Sequence, residues 1–350
     1  MEKTLRYITE KTAALIITNE NRRYLTGFPS SLGYLLMTKN GNILFVDGRY
    51  FEAANKKAVN CEVVLIEKLI EQINEELSKR GIEKLIIETE DSVSVYESLK
   101  RKLGVKVTPS SPLTNKLYTL RSVKKRDEIN SIISAQRIAE KAFTDVLDFI
   151  KVGKSEREIA AFLEYRMKLY GAEKFAFETI AVSGRNSSMP HGVPTEKRVE
   201  NGDFVTLDFG AVINGYCSDM TRTVAVGFAT DEMQQVYNTV LAAQQKVIET
   251  VSAGVLCADA DNAARSVIEA AGYGKYFNHS TGHGVGLEIH EMPTLSKRAG
   301  DVKLRAGQIV TDEPGIYLPE KFGVRIEDML LVQKNGCKNL TKAAKDLIIL

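Results

Sequence analysis

Residues 205-VTLDFGAVINGYCSDMTRTVAVG-227 decide how the second part of this chain reads. Two β-rich runs flank Asn214-Gly215, a pair favoured where both central turn residues need φ > 0. With a two-residue loop at Asn214-Gly215, Asp208 pairs with Thr221 and Gly210 with Asp219. With the loop slid to Ile213-Asn214, the two aspartates pair directly. Side chains alternate faces along a strand, so both registers put the two carboxylates on one face as near neighbours. Like charges that close are destabilising, and aspartate is depleted in strands. Either each aspartate is exposed or takes a basic partner such as Arg222, or a cation sits between them.

Further carboxylates and imidazoles stand downstream. In 308-QIVTDEPGIYLPEKFGVRIEDMLLV-332, Glu313 ends a strand-like run stopped by Pro314-Gly315. Glu327 lies in a second run, 323–332, with Arg325 two positions earlier on the same face. Asp312 and Asp328 should face the other way. Three of the chain's four histidines, His279, His283 and His290, fall in 279-HSTGHGVGLEIHEMP-293; the fourth is His191. Gly282, Gly284 and Gly286 oppose a helix here, at about 1 kcal/mol each relative to alanine. They fit a strand or loop with something pressed close against the backbone.

Working outward, 47 basic against 45 acidic residues leave a net charge of +2 over 350 residues. That balance argues against nucleic acid or a membrane surface as partner. The N-terminus has no apolar core of a secretory signal, and no apolar run reaches the ~18 residues of a membrane helix. Cys61, Cys217, Cys257 and Cys337 lack C-x-x-C spacing and read as reduced thiols. A soluble cytoplasmic protein is expected.

The first ~115 residues alternate strand-like and helix-like runs, which argues for a small α/β domain over residues 1–115. Its strands fall at 12–18, 33–46, 61–66 and 84–88, with a hairpin turn at Asn40-Gly41 and helices at 49–59 and 68–81. Residues 109-PSSPLTNKLY-118 read as a linker. A second domain then spans 120–350. It opens with a long helix from near Lys124 and another at 156–171, then turns strand-rich and glycine-rich. No fixed-period repeat is visible.

These pieces together resemble the pita-bread metallopeptidases: methionine aminopeptidases, Xaa-Pro aminopeptidases and Xaa-Pro dipeptidases (prolidases). The resemblance rests on 176-AFETIAVSGRNSSMPHG-192, 205–223, 279–293, 311-TDEPGIYLP-319 and 323-GVRIED-328. Residues 22-RRYLTGF-28 and 44-LFVDGRYFEAA-54 resemble the N-terminal domain of the Xaa-Pro branch. The implied architecture is a creatinase/prolidase-like α/β domain followed by an α+β pita-bread catalytic domain.

Carried over by position, the resemblance implies a two-metal site held by Asp208, Asp219, His283, Glu313 and Glu327. It implies that His191, His279 and His290 bind substrate, that Phe177 lines the cleft, and that Arg325 holds a metal-binding carboxylate. Four carboxylates and two divalent ions would balance in charge. Oxygen-rich ligation with one imidazole suits Mn²⁺, with Co²⁺, Fe²⁺ or Zn²⁺ as alternatives. Such a pair acidifies a water and polarises a carbonyl. Glu313 would then act as general acid/base, with His290 and His191 donating to the developing oxyanion. Glycines 282 to 286 would let a strand pass close to the metals.

The expected substrates are proline-containing peptides, cut before proline, and the expected assembly is a homodimer. In some dipeptide-specific members a basic residue follows His-Glu-x-Pro; here Thr294 does, with Lys297 and Arg298 later. That points to an Xaa-Pro aminopeptidase, with Xaa-Pro dipeptidase as the alternative. Metal-free creatinase and a non-catalytic binding module of the same fold are the remaining rivals; the five intact ligand positions count against both.

Overall fold

A computed structural model describes residues 6–350. They form two compact units that meet in sequence at Arg121 and Ser122.

The first unit is a mixed sheet with helices on both faces. Its elements run β1 (Thr12–Ile16), α1 (Asn19–Thr26), β2 (Tyr34–Thr38), β3 (Gly41–Val46), α2 (Gly48–Lys57), β4 (Glu62–Leu65), α3 (Leu69–Lys79), β5 (Lys84–Ile87), α4 (Val93–Lys102), β6 (Lys106–Pro109) and α5 (Ser111–Ser122). The strand order is β4-β3-β2-β1-β5-β6. Ala14 and Ile16 of β1 pack into one core while Ala13 and Leu15 pack into the other. That is the two-residue alternation of a strand buried on both sides.

Two local expectations fail here. The β2–β3 hairpin exists, but Thr38 pairs with Gly41, so the turn residues are Lys39 and Asn40. The expected linker at 109–118 is largely the helix α5. Its prolines and serines are a helix start: the carbonyl of Ser110 accepts from the Thr114 N–H at 3.1 Å. Pro112 sits in the first turn, where a missing N–H costs nothing. Leu113 and Leu117 then bury completely in the core of this unit.

The second unit contains α6 (Arg126–Phe149), α7 (Glu156–Leu169), β7 (Lys174–Phe175), β8 (Ile180–Ser183), β9 (Phe204–Phe209), β10 (Ala211–Ile213), β11 (Tyr216–Cys217) and β12 (Met220–Ala225). There follow α8 (Asp231–Thr250), α9 (Cys257–Ala270), β13 (Gly282–Gly284), β14 (Glu291–Leu295), β15 (Ile309–Asp312), β16 (Gly315–Leu318), β17 (Phe322–Arg325), β18 (Asp328–Val332) and β19 (Cys337–Asn339).

These elements fall into two halves of one plan. Each half opens with a long helix and a 14-residue helix. Each then lays down three consecutive antiparallel neighbours, β8-β9-β12 and β13-β15-β18. The helix junctions match as well. The N–H of Gly153 donates to Val199 O and that of Val199 to Lys154 O; the N–H of Gly254 donates to Leu304 O and that of Leu304 to Val255 O. A structural repeat is present that the sequence does not advertise. Each half has its own apolar core beneath its helices. Among the described residues, no helix is long and apolar enough to cross a membrane.

Candidate metal centre

The five candidate ligands sit on or beside the central strands of the two halves. Asp208 is on β9 and Asp219 immediately precedes β12. His283 is on β13, Glu313 follows β15, and Glu327 lies between β17 and β18. All five line one cavity of about 290 Å³.

The hairpin adopts the first of the two registers, with Thr221 opposite Asp208 and Tyr216 opposite Ile213. Asn214 and Gly215 both have positive φ, as that turn requires. The pairing breaks between β9 and β10. A Cβ at Gly210 would collide with the carbonyl of Ser218, and the Ser218 hydroxyl accepts from Ala211 N–H at 3.0 Å. Asp219 emerges from this break on the cavity side. Arg222 does not answer either aspartate; it points to the opposite face and pairs with Asp328 at 2.8 Å.

The glycines around His283 have the close approach to the backbone that was expected of them. A Cβ at Gly282 would strike the Thr311 backbone, one at Gly284 the backbone of Glu291 and Met292, and one at Gly286 the Glu291 carboxylate. They let neighbouring segments close on β13. His283 is thereby fixed: its N–H donates to Thr311 Oγ1 at 3.0 Å. Its Nδ1 lies 3.1 Å from Gly284 O. A carbonyl only accepts, so Nδ1 carries the proton and Nε2 presents a lone pair to the cavity.

That lone pair faces carboxylates. His283 Nε2 lies 3.3 Å from Glu313 Oε1 and 3.6 Å from Asp219 Oδ2. One donor atom each from Asp219, His283 and Glu327 fall within 4.8 Å of one another. Thr221 Oγ1 donates to Glu327 at 2.7 Å and Thr311 Oγ1 to Glu313 at 3.1 Å. Arg325 donates to Asp208 Oδ2 at 2.6 Å, while Asp208 Oδ1 is buried with no partner among the described residues.

The electrostatics follow from that crowding. Burial, then the neighbouring carboxylates, pushes Asp219 and Glu327 well above the ordinary carboxylate range. Burial likewise raises Glu313 to about 7, against the pull of Arg325. Burial holds His283 below the usual imidazole value. Clustered anionic oxygens that resist ionising, an orphaned carboxylate oxygen and a neutral imidazole lone pair form a donor set suited to divalent cations.

The other expected site residues divide. His191, His290 and Phe177 line the cavity, and the rings of His290 and His283 meet edge to face at 4.3 Å. His279 does not line it, contrary to its expected contact with substrate. Its Nε2 lies 3.0 Å from the Tyr317 hydroxyl, and its ring packs edge-on against Phe277. Tyr317 accepts from Arg325 at 2.7 Å. A buried chain therefore runs His279–Tyr317–Arg325–Asp208 behind the cavity. Tyr317, Thr221 and Thr311 were not singled out by sequence; only the hairpin register, which sets Thr221 opposite Asp208, gave a signal. Cys217 is a packed thiol among Val212, Val285 and Ile309 and does not line the cavity.

Residues 130–334 match the metallopeptidase family M24, and residues 6–123 match the creatinase/prolidase N-terminal domain. The chain belongs to metallopeptidase family M24. It is 42% identical to an Xaa-Pro dipeptidase of Pyrococcus horikoshii, over 96% of this chain and 94% of the relative. A solved Xaa-Pro dipeptidase from Bacillus anthracis superposes with a TM-score of 0.93 at 42% identity, covering 97% of this chain and 95% of that one. An X-Pro aminopeptidase from Thermotoga maritima superposes with a TM-score of 0.92 at 36% identity, covering 99% and 100%. This M24 chain thus combines a creatinase-like N-terminal domain with a pita-bread metallopeptidase domain.

Proposed function

We propose that the chain is a metal-dependent Xaa-Pro dipeptidase, releasing proline from dipeptides by hydrolysing the bond before it. One observation carries the chemistry: four carboxylates, buried at Asp219 and Glu327 and half-buried at Asp208 and Glu313, converge with a lone-pair imidazole on one cavity with too little positive charge of their own. The relatives at 42% identity, named Xaa-Pro dipeptidases and matched over nearly the whole length, support the substrate reading. This replaces the aminopeptidase reading drawn from Thr294.

Asp208, Asp219, His283, Glu313 and Glu327 would hold two divalent ions, with Mn²⁺ the best match to the oxygen-rich set. When bound, these ions supply Lewis acidity and a water acidified towards neutral pH. The chain's own groups do the rest. Glu313, whose carboxyl is already raised by burial, takes and returns a proton as general acid/base. His191 and His290, on the cavity rim, donate to the substrate or to the oxyanion that develops on its carbonyl. Arg325 fixes Asp208 through a charge-assisted hydrogen bond. Phe177 and Ile289 supply apolar wall against which a proline ring can pack.

Xaa-Pro aminopeptidase is the second reading. In its favour, no Lys or Arg is among the described residues lining the cavity, so no guanidinium or ammonium there would grip a dipeptide's carboxylate. The test depletes the protein with chelator, restores Mn²⁺, Co²⁺ or Zn²⁺, and compares matched Xaa-Pro and Xaa-Pro-Xaa substrates. A dipeptidase cleaves the first in preference once metal returns. Preference for the tripeptide establishes the aminopeptidase. Cleavage of neither, with metal bound, overturns both.

A further inference from the structure

Glu156, the first residue of α7, is completely buried. Among the described residues it forms no ion pair, yet its carboxylate is crowded with donors. Oε1 accepts from Ser183 N–H at 2.7 Å, Ser183 Oγ at 3.1 Å and Asn186 Nδ2 at 3.0 Å. Oε2 accepts from Thr195 N–H at 2.9 Å, Thr195 Oγ1 at 2.6 Å and Asn186 Nδ2 at 3.2 Å. A buried anion is tolerated when its lone pairs are met this fully, and the helix N-terminus adds a favourable dipole.

The identity of those donors gives the arrangement its meaning. Ser183 ends β8 and Thr195 lies twelve positions on, so one carboxylate ties together both ends of the intervening loop. That loop carries His191 and the cavity-lining Gly192, Val193 and Pro194. Its first turn has a second anchor, where Ser187 Oγ accepts from Gly323 N–H at 2.9 Å. Beyond Ser188 the segment rises to the surface, with Val193 70% exposed.

The second half of the fold repeats the device. Asp261 of α9 is also completely buried. It accepts from Thr281 N–H at 3.0 Å and Thr281 Oγ1 at 2.8 Å on one side, and from Lys297 N–H at 3.1 Å on the other. The segment it closes carries His283 and His290. Asp261 differs in having a cation, Arg265, at 2.6 Å. In each half, then, a carboxylate on the shorter helix fastens the base of a histidine-bearing segment. The two carboxylates stand at different positions along their helices, so they are alike in what they hold rather than in helical position.

We infer that Glu156 is a positioning residue that sets His191 and the Gly192–Pro194 wall of the cleft through the base of their loop. The inference rests on the Xaa-Pro hydrolase reading for its kinetic test, but its structural half does not. Each acceptor lost from Glu156 would leave a buried N–H or hydroxyl unmet and let the loop base open. Displacing a substrate-contacting group by about 1 Å costs on the order of 10²-fold.

The experiment is a cycle of metal-loaded wild type, Glu156→Gln, His191→Ala and the double variant, with Thr195→Val as a milder lesion that removes a single side-chain donor. Glu156→Gln should lower kcat/KM by about 10- to 100-fold, with bound metal unchanged. In the His191→Ala background the same change should cost several-fold less than in wild type, the remainder coming from the Gly192–Pro194 wall, because residues acting as a unit are not additive. Amide exchange should accelerate at 189–194 in Glu156→Gln, and less so in Thr195→Val, with the sheets unaffected. Additive kinetic losses, or exchange at 189–194 no faster than wild type, would overturn the inference. A wild type that cleaves no Xaa-Pro substrate sinks the functional reading instead, and the exchange measurement still decides the anchor.

Discussion

At the ends of two paired strands, acidic residues adjacent in sequence turn to opposite faces. Glu313 and Glu327 face the cavity; Asp312 and Asp328, one residue away, face the core behind it. Asp328 is met by Arg222 at 2.8 Å, Gln244 at 2.8 Å, Asn339 at 2.5 Å and Lys345 at 3.1 Å. Despite the cost of burial, Arg222 and Lys345 hold its carboxyl below the ordinary range. Glu327 is equally buried, and burial with the repulsion of Glu313 and Asp208 drives its carboxyl upward. Asp312 shares the back face but not the partners: opposite Asp328 in the strand pair, neither of its oxygens has a hydrogen bond among the described residues, and burial raises it too. A buried carboxylate that the protein itself satisfies is part of the scaffold. One that it leaves short of positive charge, in a cavity open to solutes, is a place for something the chain does not encode.

That contrast can be broken most decisively at Glu327. Glu327→Gln should lower metal content and cut activity by more than the 10- to 100-fold typical of a residue behind a metal. It should also leave the metal-free protein as stable as the wild type or more so, since a buried carboxyl that is costly to ionise among its neighbours is gone. Metal analysis, peptide cleavage and thermal denaturation in chelator read the three quantities. A large loss of metal-free stability would place Glu327 with the scaffold after all.

The back face should respond in reverse. Arg222→Met strands Asp328 and removes donors from the carbonyls of Thr221, Glu327, Ala343 and Ala344. Breaking a buried pair of this kind costs about 3–5 kcal/mol, measurable by urea denaturation. Activity per folded molecule should fall far less than in Glu327→Gln. If activity vanishes while stability holds, the division between the two faces is wrong.

A pH titration sharpens the comparison next. Burial depresses the His279 imidazole to about 4. In the unfolded chain it titrates near 6.5. Between those values the unfolded state binds the proton and the folded state does not. Its contribution is therefore fully present above pH 6.5 and is lost as pH falls towards 4. The loss is at most about 3 kcal/mol. Denaturation midpoints of wild type and His279→Gln should converge on acidification; parallel curves would remove His279 from the acid response.

The smallest expected effect is at the link between the two faces of the site. Arg325→Lys keeps a charge but not the fork that reaches Asp208, Tyr317 and Thr221 together. Activity should drop about 10- to 100-fold, or about 1.4–2.7 kcal/mol of barrier. Metal titration against cleavage rate would check it. A wild-type rate at saturating metal would mean that Arg325 serves only to assemble the centre.

What could be read beforehand was whatever depends on neighbours in sequence. The turn around Asn214 left two registers open, and both put Asp208 and Asp219 on one face; that much followed from φ preferences and strand alternation alone. The same alternation separated Glu313 and Glu327 from Asp312 and Asp328. The resemblance of five short segments carried the fold and the M24 family. Local reading failed where a local cue had two meanings. The proline and serines before Leu113 fit a linker or a helix start, and only burial of Leu113 and Leu117 chose the helix. Glycines 282 to 286 announced a close approach to the backbone, and only the fold showed that Thr311 and Met292 make it.

The sequence by itself determined which residues carry charge, which turns can form and which side chains share a strand face, because these are set within a few bonds. Tertiary structure alone decided which carboxylates find partners. Arg222 went to Asp328 rather than to Asp208 or Asp219, His279 went to Tyr317 rather than to the cleft, and Glu156 gathered Ser183 and Thr195 from either end of a loop. Such pairings depend on how distant segments pack, and the free energy of a buried charge is fixed by the few ångströms around it.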